Sequence, residues 1–179
     1  MQNEGISVKG FYRIHITEDD KIVGDSGWHQ NQVTNEGFRN YLVRLLGAIA
    51  SSSQIGYVGL GSGSEPGAAA TTLEGEVESR ASVTAATSSD SKAVQFTATF
   101  ASGDSFVTNT QNLSNIGLFA TDSGGTLFAG NTYASSSCAT NQNVNSWRHL
   151  LATVSSKLRK FGGHLFMETI PSQALPLAA

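Results

Sequence analysis

Between Val8 and Ile16 the chain alternates, with Phe11, Arg13 and His15 on one side and Tyr12, Ile14 and Ile16 on the other. A period of two built from aromatic and β-branched residues predicts a strand. "TEDDK" breaks the pattern and "IVGDSGWH" resumes it, which predicts a hairpin turning at Glu18–Lys21. From Phe38 the apolar positions change period. Tyr41, Leu42, Leu45, Leu46 and Ile49 follow three-and-four spacing, so a packed amphipathic helix is expected over about 35–50, with Thr34 or Asn35 as its cap. "IGYVGL" (55–60) is a short apolar run that leads into the loop "GSGSEPGAAATT". "EVESRASVTAA" (76–86) and "KAVQFTATF" (92–100) predict a second hairpin around "TSSDS". "NIGLFA" (115–120) and "TLFAGNTYA" (126–134) predict a third around "TDSGG", where Gly124 or Gly125 can take the positive φ that such turns need. "SSSCATNQN" (135–143) reads as loop. Val144, Trp147, Leu151, Val154 and Leu158 then recur at three and four, which predicts a helix, with a strand as the competing reading. "GGHLFMETI" is a possible final strand and "PSQALPLAA" a loose tail.

Closely spaced strands joined by turns place the chain in the mainly-β class, as an antiparallel β-sandwich or jelly-roll-like fold with one packed helix and a C-terminal helix or arm. Composition agrees. Only 14% of the 179 residues are charged, and Ser, Thr, Asn, Ala and Gly fill the gap, a mixture suited to short strands and turns. The length suits a single domain, organised as an N-terminal β-hairpin (1–30), a core with the helix (31–135) and a C-terminal segment (136–179). The net charge of −3 gives no basic surplus for a nucleic-acid backbone, and Lys157, Arg159 and Lys160 form only a small basic cluster. Nucleic acid is therefore not expected as the main partner. One cysteine, Cys138, allows no intrachain disulfide or thiolate zinc site. "MQNEGISVKGFYR" lacks the regions of a secretory signal, and no apolar stretch is long enough for a membrane-spanning helix, so synthesis in a cytoplasm is expected.

Candidate chemistry changes this picture little. "GLGSGSEPG" has neither the lysine of a phosphate loop nor the dinucleotide spacing, since Gly67 follows Gly61 and Gly63 one place too late. His15, His29, His149 and His164 are scattered, without the spacing that sets two metal ligands on one element. Ser62 has no nucleophile-elbow context, Cys138 has no histidine near it in sequence, and Asn112–Leu113–Ser114 is a bare glycosylation triplet. Glu74, Glu76 and Glu78, with Asp19 and Asp20, read as solvated acids, a weak calcium site being the sharper alternative. No catalytic residue, metal or cofactor is expected.

Taken in order, "NQVTNEGFRNYLVRLLG", "IGYVGLGSGSEPGAAATTLEGEVESR", "QFTATF" and "NIGLFATDSGGTLFAG" resemble a domain of tailed-bacteriophage structural proteins, usually labelled tail-fibre or other virion proteins. The resemblance covers residues 31 to 130. It implies a β-rich virion module without catalytic residues, made in the bacterial host cytoplasm, homo-oligomeric, and partnered by other virion proteins of tail, capsid or baseplate. A tail or fibre-base component is the first placement, a capsid decoration protein the second, and a host-glycan-binding module carrying "DSGWHQN" a third. In the third hairpin, Ile116, Leu118, Leu127 and Ala129 are expected on one face and Phe119 and Phe128 on the other, covered by the helix and by a neighbouring subunit. Gly59, Gly61 and Gly63 are expected to allow tight turns. The segment from Asn143 replaces the closing strand expected of such a domain, so an arm that docks on a neighbour is the expectation there. Phe11, Tyr12 and Trp28 in the N-terminal hairpin, and Trp147, Phe161 and Phe166 in the C-terminal segment, are the candidate contact residues.

Overall fold

The computed structural model describes residues 5–87, 93–155, 160–161 and 164–165. Its strands are β1 (Gly5–Glu18), β2 (Lys21–Asp25), β3 (His29–Val33), β4 (Tyr57–Gly61), β5 (Ala81–Ser82), β6 (Thr84–Ala86), β7 (Ala93–Phe100), β8 (Gln111–Phe119), β9 (Ala129–Cys138), β10 (Asn143–Ser155), β11 (Lys160–Phe161) and β12 (His164–Leu165). One antiparallel sheet runs β5-β4-β8-β9-β3-β1-β10-β7-β6, with β2 beside β1, and β11 and β12 pair separately. The predicted mainly-β, sandwich-like class is the observed one. β5 and β6 stand at opposite ends of this order yet only Val83 separates them, so one short segment joins both edges and the sheet nearly closes on itself. β3 is where the sheet changes direction: His29 to Asn31 pair with β1, and Gln32 and Val33 pair with β9.

The alternation of β1 buries Tyr12, Ile14 and Ile16 against Phe96, Ala98, Phe100 and Val144 from one half of the sandwich, and against Val58, Leu60, Ile116 and Leu118 from the other. The hairpin turn falls where expected, with Asp19 and Asp20 both at positive φ. The helix expected from Val144 is instead the strand β10. It pairs with β1 from Thr17↔Asn143 to Gly5↔Ser155 and with β7 on its other side. Apolar residues three and four apart serve either period, and two long partner strands decide for β. Residues 143–155 are therefore part of the sheet, not a docking arm or helix. The loop expected over 135–143 is shorter than predicted, because β9 continues to Cys138, which is fully buried.

The helix is present but reduced to a π-helical segment, Gly37–Val43, and a single turn α1 (Arg44–Leu46). Thr34 caps it: its Oγ1 accepts the Gly37 N–H at 2.9 Å and donates to the Leu127 carbonyl at 2.5 Å. Tyr41 enters the core, edge-on to Phe128 at 5.1 Å, and its hydroxyl donates to the Thr126 carbonyl. Leu42 packs against the core as well, but the other predicted positions do not: Leu45, Leu46 and Ile49 are exposed. A π-segment closes on i→i+5 bonds and rotates later side chains away from a 3.6-residue stripe.

The third hairpin forms with Gly124 and Gly125 at positive φ, as predicted for its turn. Its faces differ from expectation. β9 begins only at Ala129, so Leu127 and Phe128 lie outside strand alternation. Phe128 joins Ile116 and Leu118 in the main core, while Leu127 turns to the other face with Phe119 and Leu73. That outer face is covered by the chain's own loop 62–75, not by a neighbouring subunit. Asn115 Nδ2 donates to the Glu74 carbonyl at 2.9 Å, and the Leu127 N–H to the Thr71 carbonyl at 2.8 Å. Gly59, Gly61 and Gly63 are not turn residues. A Cβ on Gly61 would lie 2.5 Å from Asn115 Oδ1 on β8 and 2.8 Å from the Glu74 carbonyl oxygen, so close packing against that strand and this loop is what excludes a side chain.

Asn31 is buried on β3 with its amide flat over Gly10, and neither amide atom has a hydrogen-bond partner among the described residues. An unsatisfied buried amide costs about 1–3 kcal/mol, which offsets the packing it provides. Asn31→Ala is accordingly expected to change stability by less than about 1 kcal/mol, whereas an ordinary core truncation costs about 2–5 kcal/mol. A urea unfolding curve on the purified variant checks this.

Candidate interaction surface

Of the six aromatic residues singled out by sequence, Tyr12 is not at the surface. It is 0% exposed, donates its hydroxyl to the Thr132 carbonyl and stacks on His29, so the inward side of β1 makes it core. Phe11 is half-buried on the outward side, and Trp28 is 47% exposed at the corner between β2 and β3. Register sets Phe11 between Gln30 of β3 and His149 of β10, and sets Trp147 opposite Arg13. Phe11 and Trp147 thus fall on the adjacent strands β1 and β10, with Trp28 at the corner that leads into β3. Phe161 lies on β11, in the separate two-stranded sheet, and Phe166 lies outside the described residues. Sequence reading missed the exposed pair Ile22 and Val23 on β2, whose signal was two adjacent apolar residues beside a charged turn.

The corner that carries Trp28 is tied down by polar contacts. Arg13 donates twice to the Asp25 carboxylate, at 2.9 and 2.5 Å, and the Gly27 N–H donates to the same group at 2.9 Å. Ser26 Oγ accepts the Ile14 N–H, and the His29 ring bonds the Ser26 carbonyl at 2.7 Å. His15 Nε2 lies 3.3 Å from Asp25 Oδ1. The hydrogen bonds from Arg13 hold the Asp25 carboxyl well below the usual carboxylate range. A lowered folded value means that the pair stabilises fully above the unfolded value, about pH 4, and that this contribution disappears as acid protonates the folded carboxylate. The pair is partly exposed, so its worth is under about 1 kcal/mol. Asp25→Asn is expected to flatten the pH dependence of stability below about pH 4 and to leave its shape near neutrality unchanged, measured by chemical unfolding at stepped pH.

The sequence acids do not converge. Glu74 accepts both the backbone N–H and the hydroxyl of Ser64, which lowers its carboxyl below the usual value. Glu76 instead holds Arg80 by two hydrogen bonds, at 2.5 and 3.0 Å. The same guanidinium donates to the Thr121 and Gly124 carbonyls and lies 3.4 Å over the Phe119 ring. Two open grooves of about 300 and 340 Å³ flank Arg80, the first bounded by Phe100, Asp104 and Phe106, the second by Glu78, Asp122 and Ser123. Among the described residues no three His, Cys, Asp or Glu side chains are grouped to hold a metal ion. Burial pushes the Cys138 thiol up to about 11, away from the thiolate a nucleophile needs. No helix among the described residues is long and apolar enough to cross a membrane. Compared with protein-family models, with curated proteins and with solved structures, the chain matches none.

Proposed function

We propose that this chain is a non-enzymatic structural subunit of a tailed-bacteriophage particle, a tail or fibre-base component that works through repeated contacts with copies of itself and with other virion proteins. The observation that carries the reading is how the stretches bearing the resemblance are used. Thr34 and Gly37 seat the helix on Leu127 and Phe128, loop 62–75 covers Phe119, and Arg80 ties Glu76 to the hairpin turn. The motif residues hold a scaffold together, as a virion module requires, and none of them is arranged around a reacting group. The outward face of β3, β1 and β10, with Phe11, Trp28 and the Trp147 position, is the surface we assign to partner contacts. Aromatic side chains on a rigid sheet are the residue type that dominates contact energies. A glycan-binding role is less well supported, because Asp25 is already engaged by Arg13 and Gly27, and Asn31 is buried.

Light scattering across a concentration series tests the proposal. A trimer or hexamer that persists at low micromolar concentration is expected, and Trp28→Glu is expected to weaken it by at least about tenfold in dissociation constant, because truncation of a contact-centre aromatic costs more than about 1.4 kcal/mol. A monomer throughout the series would overturn the tail placement and favour a decoration protein that orders only on a preformed shell.

A further inference from the structure

Exposed large apolar side chains gather on the helix and on the first hairpin, and the charges beside them differ in sign. On the helix, Phe38, Val43, Leu45, Leu46 and Ile49 are exposed, Leu46 at 84%. Arg39 and Arg44 flank this face and outweigh Glu36, whose carboxylate already accepts from Arg39 and Asn40. On the hairpin, Ile22 and Val23 are exposed side by side. Ile16 pairs with Gly24 and Thr17 with Ile22, so Val23 is a bulge, and two successive apolar residues both reach solvent. Glu18, Asp19 and Asp20 adjoin them and outweigh Lys21, with Asp19 and Asp20 exposed at the turn. Large apolar side chains gathered in this way mark surfaces that something covers.

The two patches lie at opposite ends of the sandwich. Asn141 and Gln142 donate to the Glu18 carboxylate, which sets the hairpin turn just past the Cys138 end of β9. The helix seats at the other end, where Gly37 meets Phe128 just before Ala129. β9 has ten residues, so about 30 Å separates those ends. Neither patch can cover the other within one chain, whereas two copies can join one to the other.

We propose that the helix face of one copy docks on the first hairpin of the next. Leu45, Leu46 and Ile49 meet Ile22 and Val23, and Arg39 and Arg44 face Asp19 and Asp20. Charge favours this head-to-tail pairing over the symmetric ones. A helix-to-helix contact would set Arg39 and Arg44 against their own equivalents, and a hairpin-to-hairpin contact would do the same to Asp19 and Asp20. A contact between unlike patches repeats from copy to copy, and either closes into a ring or runs on as a filament. The inference rests on the self-association proposed above, adds a second surface to it, and does not require that the copies belong to a virion.

Two full-length variants carry the test, Leu46→Glu in the helix face and Val23→Glu in the hairpin, both at exposed positions that leave the core intact. By light scattering, each alone is expected to self-associate at least about tenfold more weakly than the native chain, because a carboxylate then faces an apolar contact. Mixed in equal amounts, they are expected to form a one-to-one dimer and nothing larger, since the intact hairpin of the first meets the intact helix of the second. Oligomers that persist in both variants would overturn this contact and leave the self-association itself standing, whereas a native chain that stays monomeric would overturn both. A mixture that stays monomeric would also count against the head-to-tail contact. Cross-linking adds a readout that does not depend on these variants. Leu46→Cys and Ile22→Cys are made on separate chains, one lengthened by a tag, while the native Cys138 stays buried and out of the exchange. Mild oxidation is expected to give the mixed dimer in excess over either like-with-like dimer, and the reverse order would overturn the proposal.

Discussion

Replacing Arg80 with methionine is expected to lower stability by about 3 kcal/mol, among the largest losses of any single substitution at a charged position in this chain. The Arg80 side chain is only 6% exposed and serves four partners at once: the Glu76 carboxylate, the carbonyls of Thr121 and Gly124, and the Phe119 ring. Methionine keeps most of the packing but leaves a carboxylate and two carbonyls without donors, and breaking a buried pair from one side costs about 3–5 kcal/mol. Glu76 is more exposed than Arg80, which argues for the lower end of that range. Urea unfolding should show the loss as a lower midpoint with an unchanged slope. The double variant Glu76→Gln with Arg80→Met should lose less than the two single losses added, because the second change removes the orphaned charge. Full additivity would mean that the two residues act independently, contrary to the geometry.

Gly37→Ala is expected to be nearly as damaging, at about 3 kcal/mol, although alanine is the better helix former. A Cβ at this position would lie 2.2 Å from the Phe128 carbonyl oxygen, which is backbone and cannot rotate away. The helix must lift, and lifting it breaks the Thr34 cap on the Gly37 N–H and pulls Tyr41 off Phe128. Overpacking of this kind costs about 1–3 kcal/mol and loss of a cap about 1 kcal/mol. For a domain of this size the change corresponds to a fall of roughly 6–12 °C in melting temperature. Gly67→Ala, where a Cβ meets nothing within 4 Å, is the matched control and should be close to neutral.

These two positions show what could be read from the sequence and what could not. The strand at 8–16 was legible because its alternation is long and its apolar half is aromatic and β-branched, and the turns at Asp19–Asp20 and Gly124–Gly125 were legible because few residues suit positive φ. β10 was not. Val144, Trp147, Leu151 and Val154 satisfy a helical spacing, and what makes them a strand is β1, more than a hundred residues away in sequence. The helix was recognisable from its cap and its onset, but its extent and its buried face depend on a π-segment with no signature in the period. Phe128 and Leu127 exchanged faces because the strand begins one residue after them. For the candidate surface, the sequence could supply aromatic residues but not their side of the sheet. Tyr12 and Phe11 are neighbours in the chain, and only the pleat separates core from surface.

The pairing of β1 with β10 also has a consequence in time. β1 leaves the ribosome well before its longest partner, since Gly5 pairs with Ser155. At ordinary translation speeds of about 5–20 residues per second, roughly seven to thirty seconds pass between the two. Throughout that interval the central strand has only β2 and β3 beside it, and its other edge stands open to any extended chain. In a cell making many copies at once, the nascent chain is therefore most vulnerable to mispairing before β10 is made, and a holdase acting in that interval would raise the yield of folded protein more than one acting afterwards.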